Sequence, residues 1–224
     1  MEQKFYGMSA PHIRGTLSTQ TIMLYNILAL LPAGIHGVFR YGLNAGLVIL
    51  CTCVSAVATE YLFQKIMKKP VTVQECRTLV MSLIMAYCLP PGIQWYLGIV
   101  AGVLSALIMQ ISLQFLCKNI VSPVILTRLI MMYAFSNEMF TYAFDGLTMA
   151  TPLAVLKSEG TVDTLYMMLG NTGGCIGESS AILLCAGAIF LILAGVMDFR
   201  VSGMYLLSFA AFMALFGGHG LSSY

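Results

Sequence analysis

The pattern of long apolar segments constrains this chain more than any other feature of its sequence. Only 9% of its 224 residues are charged and 59% are hydrophobic, whereas a soluble domain carries about 25% charged residues. A helix needs roughly 20 apolar residues to cross the hydrocarbon core of a bilayer. We therefore predict an all-α polytopic membrane protein with about seven transmembrane helices. The apolar segments are residues 21–39, 43–64, 79–89, 95–117, 120–135, 181–196 and 201–216.

The spacing of these segments divides the chain into four regions. A polar head, residues 1–20, precedes a first membrane half of five helices, residues 21–135. A polar-to-mixed loop, residues 136–180, separates this half from the start of a second one, residues 181–224. The third apolar segment would reach only ~16 Å as a helix. We expect either that residues from Arg77 onward extend it or that it is buried within protein.

The distribution of basic residues predicts the orientation of the chain. With a cytoplasmic N-terminus, eight Lys and Arg residues fall on the inner side and two on the outer side, which satisfies the positive-inside rule. We therefore expect a multi-pass protein of the cell (plasma or inner) membrane, with the loop at 136–180 facing outward. The inner set is Lys4, Arg14, Lys65, Lys68, Lys69, Arg77, Lys118 and Arg200, and the outer pair is Arg40 and Lys157.

A polar motif in the outer loop, DGLTMATPLA from Asp145 to Ala154, contains the hydroxyls of Thr148 and Thr151. Pro152 disfavours the helical conformation for Thr151, which would leave that hydroxyl on extended, accessible backbone where a group could be attached. Because Thr followed by Pro is also a common helix start, a polar loop with a helix N-cap explains the same residues.

A second polar motif, GNTGGCIGESSA from Gly170 to Ala181, is rich in glycine. Its glycines would let the backbone approach either a flat ligand or a neighbouring helix closely. We expect Glu178 and Ser179 to cap the sixth apolar helix, since carboxylates and hydroxyls are favourable at helix N-termini.

Two charged residues within the apolar segments need an explanation. Arg128 lies in the fifth segment, where an arginine at mid-bilayer costs at least roughly 2.5 kcal/mol. It should therefore face protein, water or a ligand, and both a cofactor contact and a structural partner remain open. Glu60 lies near the end of the second segment; we expect it to be interfacial, with a role in an ion pathway as the alternative.

Several classes of function lack support in the sequence. The seven cysteines have no zinc-type spacing, so no metal site is predicted. A nucleotide-binding loop, a Ser-His-Asp triad and a pair of catalytic carboxylates are absent from the motifs, so we assign no catalytic residue. The net charge of +2 is small and dispersed, which gives no indication of a nucleic-acid partner.

Five segments together resemble one family across essentially the whole chain. The head MSAPHIRGTLSTQTIMLYNILALLPA, the motif DGLTMATPLA, the motif GNTGGCIGESSA and the later AGVMDFR and FGGHG resemble RnfD, the D-type membrane component of Rnf (Rsx) ion-translocating electron-transport complexes. That family is related to NqrB, the corresponding membrane component of the Na⁺-translocating NADH:quinone reductase. Its members have about ten helices in two inverted halves, similar to urea transporters, so the seven segments here resemble a truncated version of that fold. We expect this chain to be incomplete, or a shortened variant that depends on its neighbours.

The resemblance assigns functional roles to individual residues. It implies that Thr151 bears covalent FMN through a phosphoester, and that Asp145 and Thr148 serve recognition by a flavin transferase. We also assign Arg128, Gly177 and Glu178 to cofactor binding. The chain departs from the family between the fourth and fifth segments, where Gln110 replaces a lysine and several glycines are missing.

The resemblance implies a component that is not catalytic alone. It would pass electrons through FMN within a complex that connects reduced ferredoxin and NAD⁺ and moves Na⁺ or H⁺. Riboflavin is bound by the related quinone-reductase component, and the sequence leaves its presence here open. The implied partners are the other subunits of the complex, a flavin transferase and membrane lipid. A solute channel or transporter without flavin and a membrane anchor without cofactor are the alternatives.

Overall fold

The protein is seen in a computed structural model that describes residues 18–68, 75–115, 122–140, 143–144, 147–148 and 174–216. Each of the seven predicted apolar segments forms a helix, and the helix ends differ from the predicted ends by a few residues. A one-turn helix and a short 3₁₀ helix are added to these. The α-helices are α1 Thr19–Tyr41, α2 Leu43–Ile66, α3 Arg77–Tyr87, α4 Trp95–Phe115, α5 Pro123–Ala134, α6 Ser136–Met139, α7 Ala181–Leu193 and α8 Phe199–Phe216; the 3₁₀ helix is Ile176–Ser179.

The described helices confirm the predicted class of a polytopic, all-α membrane protein. Three of them are long and apolar enough to cross a membrane: α1, α2 and residues Trp95–Ser112 of α4. The helices α3 and α5 and the apolar parts of α7 and α8 are shorter. The short α3 is enclosed by its neighbours, with Met85 and Ala86 fully buried. Burial in protein therefore resolves the length problem that its sequence poses.

The centre of the fold is the contact between α2 and α4, against which α3 packs. Gly98 and Gly102 of α4 face α2, and a Cβ at Gly98 would lie 3.3 Å from the carbonyl oxygen of Val48. Small residues at such positions let two helices approach closely in a membrane. The buried core around this contact includes Ala45, Val48, Met85, Leu89, Ile93, Leu97 and Ala101.

The helix α1 connects this core to α7. Pro32 lies inside α1, and the hydroxyl of Tyr87 in α3 donates to the carbonyl oxygen of Leu30, 3.0 Å away. A side chain of α3 thus bonds to the backbone of α1 two residues before the proline. On the other side, Gly187 of α7 packs against Ala29, where a Cβ would lie 2.6 Å from the Ala29 carbonyl oxygen.

Two very short strands follow α6 within the segment 136–180. β1 (Ala143–Phe144) and β2 (Leu147–Thr148) pair antiparallel, with Ala143 opposite Thr148 and Phe144 opposite Leu147. Thr148 is therefore placed in a hairpin strand. Asp145 and Thr151, the other two motif residues assigned to flavin attachment, lie outside the described residues.

Candidate cofactor site

The 3₁₀ helix lies where the ends of α1 and α3 meet. The backbone N–H of Ile176 donates to the carbonyl oxygen of Leu89 at 3.0 Å. On the α1 side, a Cβ at Gly37 would lie 2.8 Å from the Ile176 carbonyl oxygen. Residues 174–177 are buried. Residues 174–177 of the glycine-rich motif are thus held by a backbone hydrogen bond to Leu89 and by a close contact that a side chain at Gly37 would prevent.

Gly177 is one of the residues assigned to cofactor binding. A Cβ at this position would lie 2.6 Å from the Cβ of Tyr87, a separation that packed side chains do not tolerate without a shift. Of the two explanations for the glycines, close approach to a helix is therefore the one observed at Gly177. A contact between Gly177 and a cofactor stays a prediction.

Glu178 caps the 3₁₀ helix and not the helix that follows it. Its Oε2 accepts a hydrogen bond from the backbone N–H of Cys175 at 3.2 Å, an N-terminal capping arrangement. The N-cap of α7 is Ser180, without a side-chain capping bond. The prediction that Glu178 and Ser179 cap the sixth apolar helix was therefore wrong, because the 3₁₀ turn intervenes. The carboxylate of Glu178 remains exposed to the surroundings.

Arg128 extends from α5 to the same segment and is half-buried. Its Nη2 donates to Sγ of Cys175 at 3.4 Å, and the thiol of Cys88 also hydrogen-bonds its guanidinium. Arg128 therefore has structural partners inside the protein, one of the two explanations that its sequence position left open. Its cofactor contact remains a prediction, and a flavin phosphate or ring edge would fit its cationic, partly exposed head.

Cys175 is only 2% exposed. Burial, with a smaller contribution from the negative charge of Glu178, raises the pKa of its thiol to about 11. The thiol is therefore protonated at neutral pH, and its neighbour Arg128 only partly offsets the burial. This cysteine packs the site and is a poor nucleophile.

Sequence reasoning missed the partners of one further residue, Glu60. It was expected to be interfacial, which stays a prediction, and it is only 5% exposed between the helices. The Nε2 atoms of Gln64 and Gln110 donate to its Oε1 at 3.1 and 3.2 Å. Gln64, one helical turn away, is a signal that the sequence offered; Gln110 comes from a different helix and offered none.

The geometry of this site indicates the general class to which the protein belongs. A glycine-rich turn, hydrogen-bonded by an arginine of α5, lies at the ends of apolar helices. Among the described residues, no group of three or more His, Cys, Asp or Glu side chains could hold a metal ion. This is a multi-pass membrane protein with a polar site at the ends of its helices.

Comparison with known proteins specifies the family. The sequence model of the NQR2, RnfD, RnfE family matches residues 7–223. The chain is 36% identical over 218 residues to the D component of the Na⁺-translocating ferredoxin:NAD⁺ oxidoreductase complex of Acetobacterium woodii, an alignment that covers 93% of this chain and 69% of that protein. The chain therefore belongs to the NQR2, RnfD, RnfE family.

Other relatives carry similar names. The D component of the proton-translocating ferredoxin:NAD⁺ oxidoreductase complex of Clostridium ljungdahlii is 33% identical over 227 residues, which is 94% of this chain and 69% of that protein. The D component of the ion-translocating oxidoreductase complex of Halorhodospira halophila is 25% identical over 249 residues, with 93% and 70% covered. The predicted resemblance to RnfD is confirmed by these matches.

Proposed function

We propose that this chain is the RnfD component of an Rnf-type ferredoxin:NAD⁺ oxidoreductase complex. In that complex it relays electrons through an FMN bound covalently to Thr151, coupled to translocation of Na⁺ or H⁺. The observation that supports this most strongly is the match to an RnfD protein over 93% of the chain at 36% identity. The relatives include one named for Na⁺ and one named for protons, so the coupling ion is not assigned from the names.

The chemistry of the motif supports Thr151 as the attachment residue. Its hydroxyl can be esterified by the flavin's phosphate, whereas the neighbouring Ala150 and Pro152 offer no such group. Pro152 disfavours a helical conformation at Thr151, which leaves the hydroxyl accessible to a flavin transferase. Asp145 and Thr148, upstream in the motif, would serve recognition by that enzyme.

Arg128 and the turn that Glu178 caps would position the bound FMN. The flavin supplies the one- and two-electron chemistry when bound. Arg128 offers a positive charge to its anionic atoms, and Glu178 stabilises the turn on which the site is built. No residue of this chain need act as a general acid or base, and the ferredoxin and NAD⁺ sites would lie on other subunits. The related quinone-reductase component holds riboflavin, and a second, non-covalent flavin of this kind is compatible with the proposal.

A denaturing gel tests the proposed function. The complex is purified after co-expression with a flavin transferase, because an unmodified polypeptide would otherwise give a false negative. We expect flavin fluorescence that migrates with this polypeptide, and a tryptic peptide around Thr151 with the mass of added FMN. Absence of covalent flavin in the wild-type protein would contradict the proposed role in electron transfer. Solute flux into proteoliposomes would then separate a transporter from a simple anchor.

The proposal includes an orientation, with the N-terminus inside and the flavin loop outside. It is motivated by the eight-to-two distribution of basic residues along the sequence. Ser136, at the start of α6, is exposed, so a Ser136→Cys variant should react with an impermeant maleimide in intact cells.

Wild-type Cys175 is the internal control for this labelling. It is buried and its thiol has a pKa of about 11, so it should react slowly from either side at neutral pH and faster as the pH rises. Peptide mass spectrometry assigns each label to its cysteine. Labelling of Ser136→Cys only after lysis would reverse the orientation.

A further inference from the structure

An apolar groove lies between α1 and α2, near Gly42, the single residue that joins the two helices. Val38 of α1 meets Gly46 of α2, where an added Cβ would lie 3.5 Å from a methyl group of Val38. Beside this contact a space remains between the helices, and the buried side chains of Leu83 and Tyr87 border it from α3. The volume of this groove is about 320 Å³.

The lining of the groove suits hydrocarbon and not a polar ligand. Among the described residues that line it, Tyr87 carries the only polar side chain, and its hydroxyl already donates to the carbonyl oxygen of Leu30. The groove opens sideways between α1 and α2, both of which are long and apolar enough to cross a membrane. The exposed side chains at its opening are Leu31, Ile35, Phe39 and Leu50.

The depth of the groove matches the hydrocarbon layer of one leaflet. Along α1 the groove extends from Phe39 to Leu31, whereas the helix ends at Tyr41. At 1.5 Å per residue, these positions lie about 3 to 15 Å from the end of the helix. Half of the hydrocarbon core of a bilayer is about 15 Å thick. The groove therefore lies at the level where the acyl chains of one leaflet run.

The size of the groove fits a single chain. An apolar cavity of about 150 Å³ holds one benzene molecule, so the groove has room for about a dozen carbon atoms. A whole helix, with a diameter of about 10–12 Å, is too wide to enter it. Lipid tails and leucine side chains are equally apolar, so a chain gains little from the hydrophobic effect here. It gains the dispersion contacts that an unfilled groove would forfeit.

We propose that this groove binds one acyl chain of a membrane phospholipid, in the leaflet at the Gly42 end of α1 and α2. The inference is independent of a flavin at Thr151 and of the coupling ion. Tyr87 borders the groove, and an added Cβ at Gly177 would lie 2.6 Å from the Cβ of the same tyrosine. A bound chain therefore supports the side chain against which the glycine-rich turn packs.

Photolabelling of the intact complex tests the proposal. The complex is reconstituted into vesicles of phosphatidylethanolamine and phosphatidylglycerol, in which a small fraction of the phosphatidylethanolamine carries a diazirine in one acyl chain. Peptide mass spectrometry locates the label after illumination. We expect label on Leu83, which is buried at the back of the groove, and on the half-buried Ile49. Val54, exposed on α2 and outside the groove, reports lipid at the open surface.

The variant Gly46→Leu fills the groove from within. The Cβ that it adds is at an ordinary contact distance from Val38, so the helices need not move, and the rest of the side chain occupies the space of the lipid. We expect Gly46→Leu to lose most of the label on Leu83 and Ile49 and to keep the label on Val54.

Two further variants serve as controls. Gly46→Ala adds one methyl group and should keep the label in the groove. Gly203→Leu adds the larger side chain in α8, where the nearest atom to the new Cβ would be 3.9 Å away on Phe199, and should leave the label in the groove unchanged.

The wild-type pattern decides the proposal even if Gly46→Leu does not assemble. Label on Val54 without label on Leu83 or Ile49 would contradict a chain in the groove and would indicate that another part of the complex covers it. Label on Leu83 that persists in an assembled Gly46→Leu complex would show that the chain enters elsewhere, which also overturns the proposal.

Discussion

The Thr151→Ala variant should lose all covalent flavin, whereas Thr148→Ala should lose only part of it, through weaker recognition by the transferase. The loss at position 151 is complete because a phosphoester needs a hydroxyl, and alanine has none. Thr148, three residues upstream in the same motif, is the competing acceptor, and it lies in the strand β2. The measurement is in-gel flavin fluorescence under denaturing conditions, with mass spectrometry of the peptide, on both variants and the wild type.

The control for this experiment is the amount of folded protein. Each variant is expressed with the same flavin transferase, and its incorporation into the complex is measured by size-exclusion chromatography before denaturation. A Thr151→Ser variant retains a hydroxyl and should recover part of the fluorescence. Flavin fluorescence that persists in Thr151→Ala would contradict the assignment of Thr151 as the attachment residue. Fluorescence lost equally in both alanine variants would point to recognition by the transferase and would leave the acceptor unassigned.

The second large effect is expected at Gly177. A Cβ here would approach the Tyr87 Cβ to 2.6 Å, and both residues are buried, so Gly177→Ala must displace the 3₁₀ helix from α3. The hydrogen bond from Ile176 to Leu89 would be weakened by the same movement. We expect Gly177→Ala to lower the free energy of unfolding by about 1–3 kcal/mol, the usual cost of overpacking a close contact. Thermal unfolding of the purified complex measures it.

Gly203 provides the matched control for this substitution. It lies in α8, and the nearest atom to an added Cβ would be on Phe199, 3.9 Å away, an ordinary contact distance. Gly203→Ala should leave the melting temperature unchanged or raise it, since alanine is the better helix former. Equal melting temperatures for the two variants would contradict the packing role of Gly177. Covalent flavin should persist in Gly177→Ala, because attachment depends on the Thr151 motif.

The number and approximate bounds of the apolar helices follow from the sequence. The signals that predict them lie within each helix itself. They are the apolar segment, the polar residues at its ends and, in α5, a proline in the first turn. The motifs were also local, and they identified the family that the comparisons confirm. Thr151 and Asp145, the residues on which the flavin hypothesis depends, are likewise known from the sequence alone.

The partners of the intramembrane polar residues were decided only by the tertiary structure. Arg128 meets Cys175 across 47 positions of the chain, and Glu60 meets Gln110 across 50. In a soluble protein an apolar stripe would show which helix face is buried, but lipid and protein interior are both apolar, so the apolar residues of α2 and α4 do not show which face meets protein. Which face of each helix meets its neighbour is therefore hidden in the sequence. The same holds for Gly177, whose role as a spacer depends on where the end of α3 and the 3₁₀ helix meet in space.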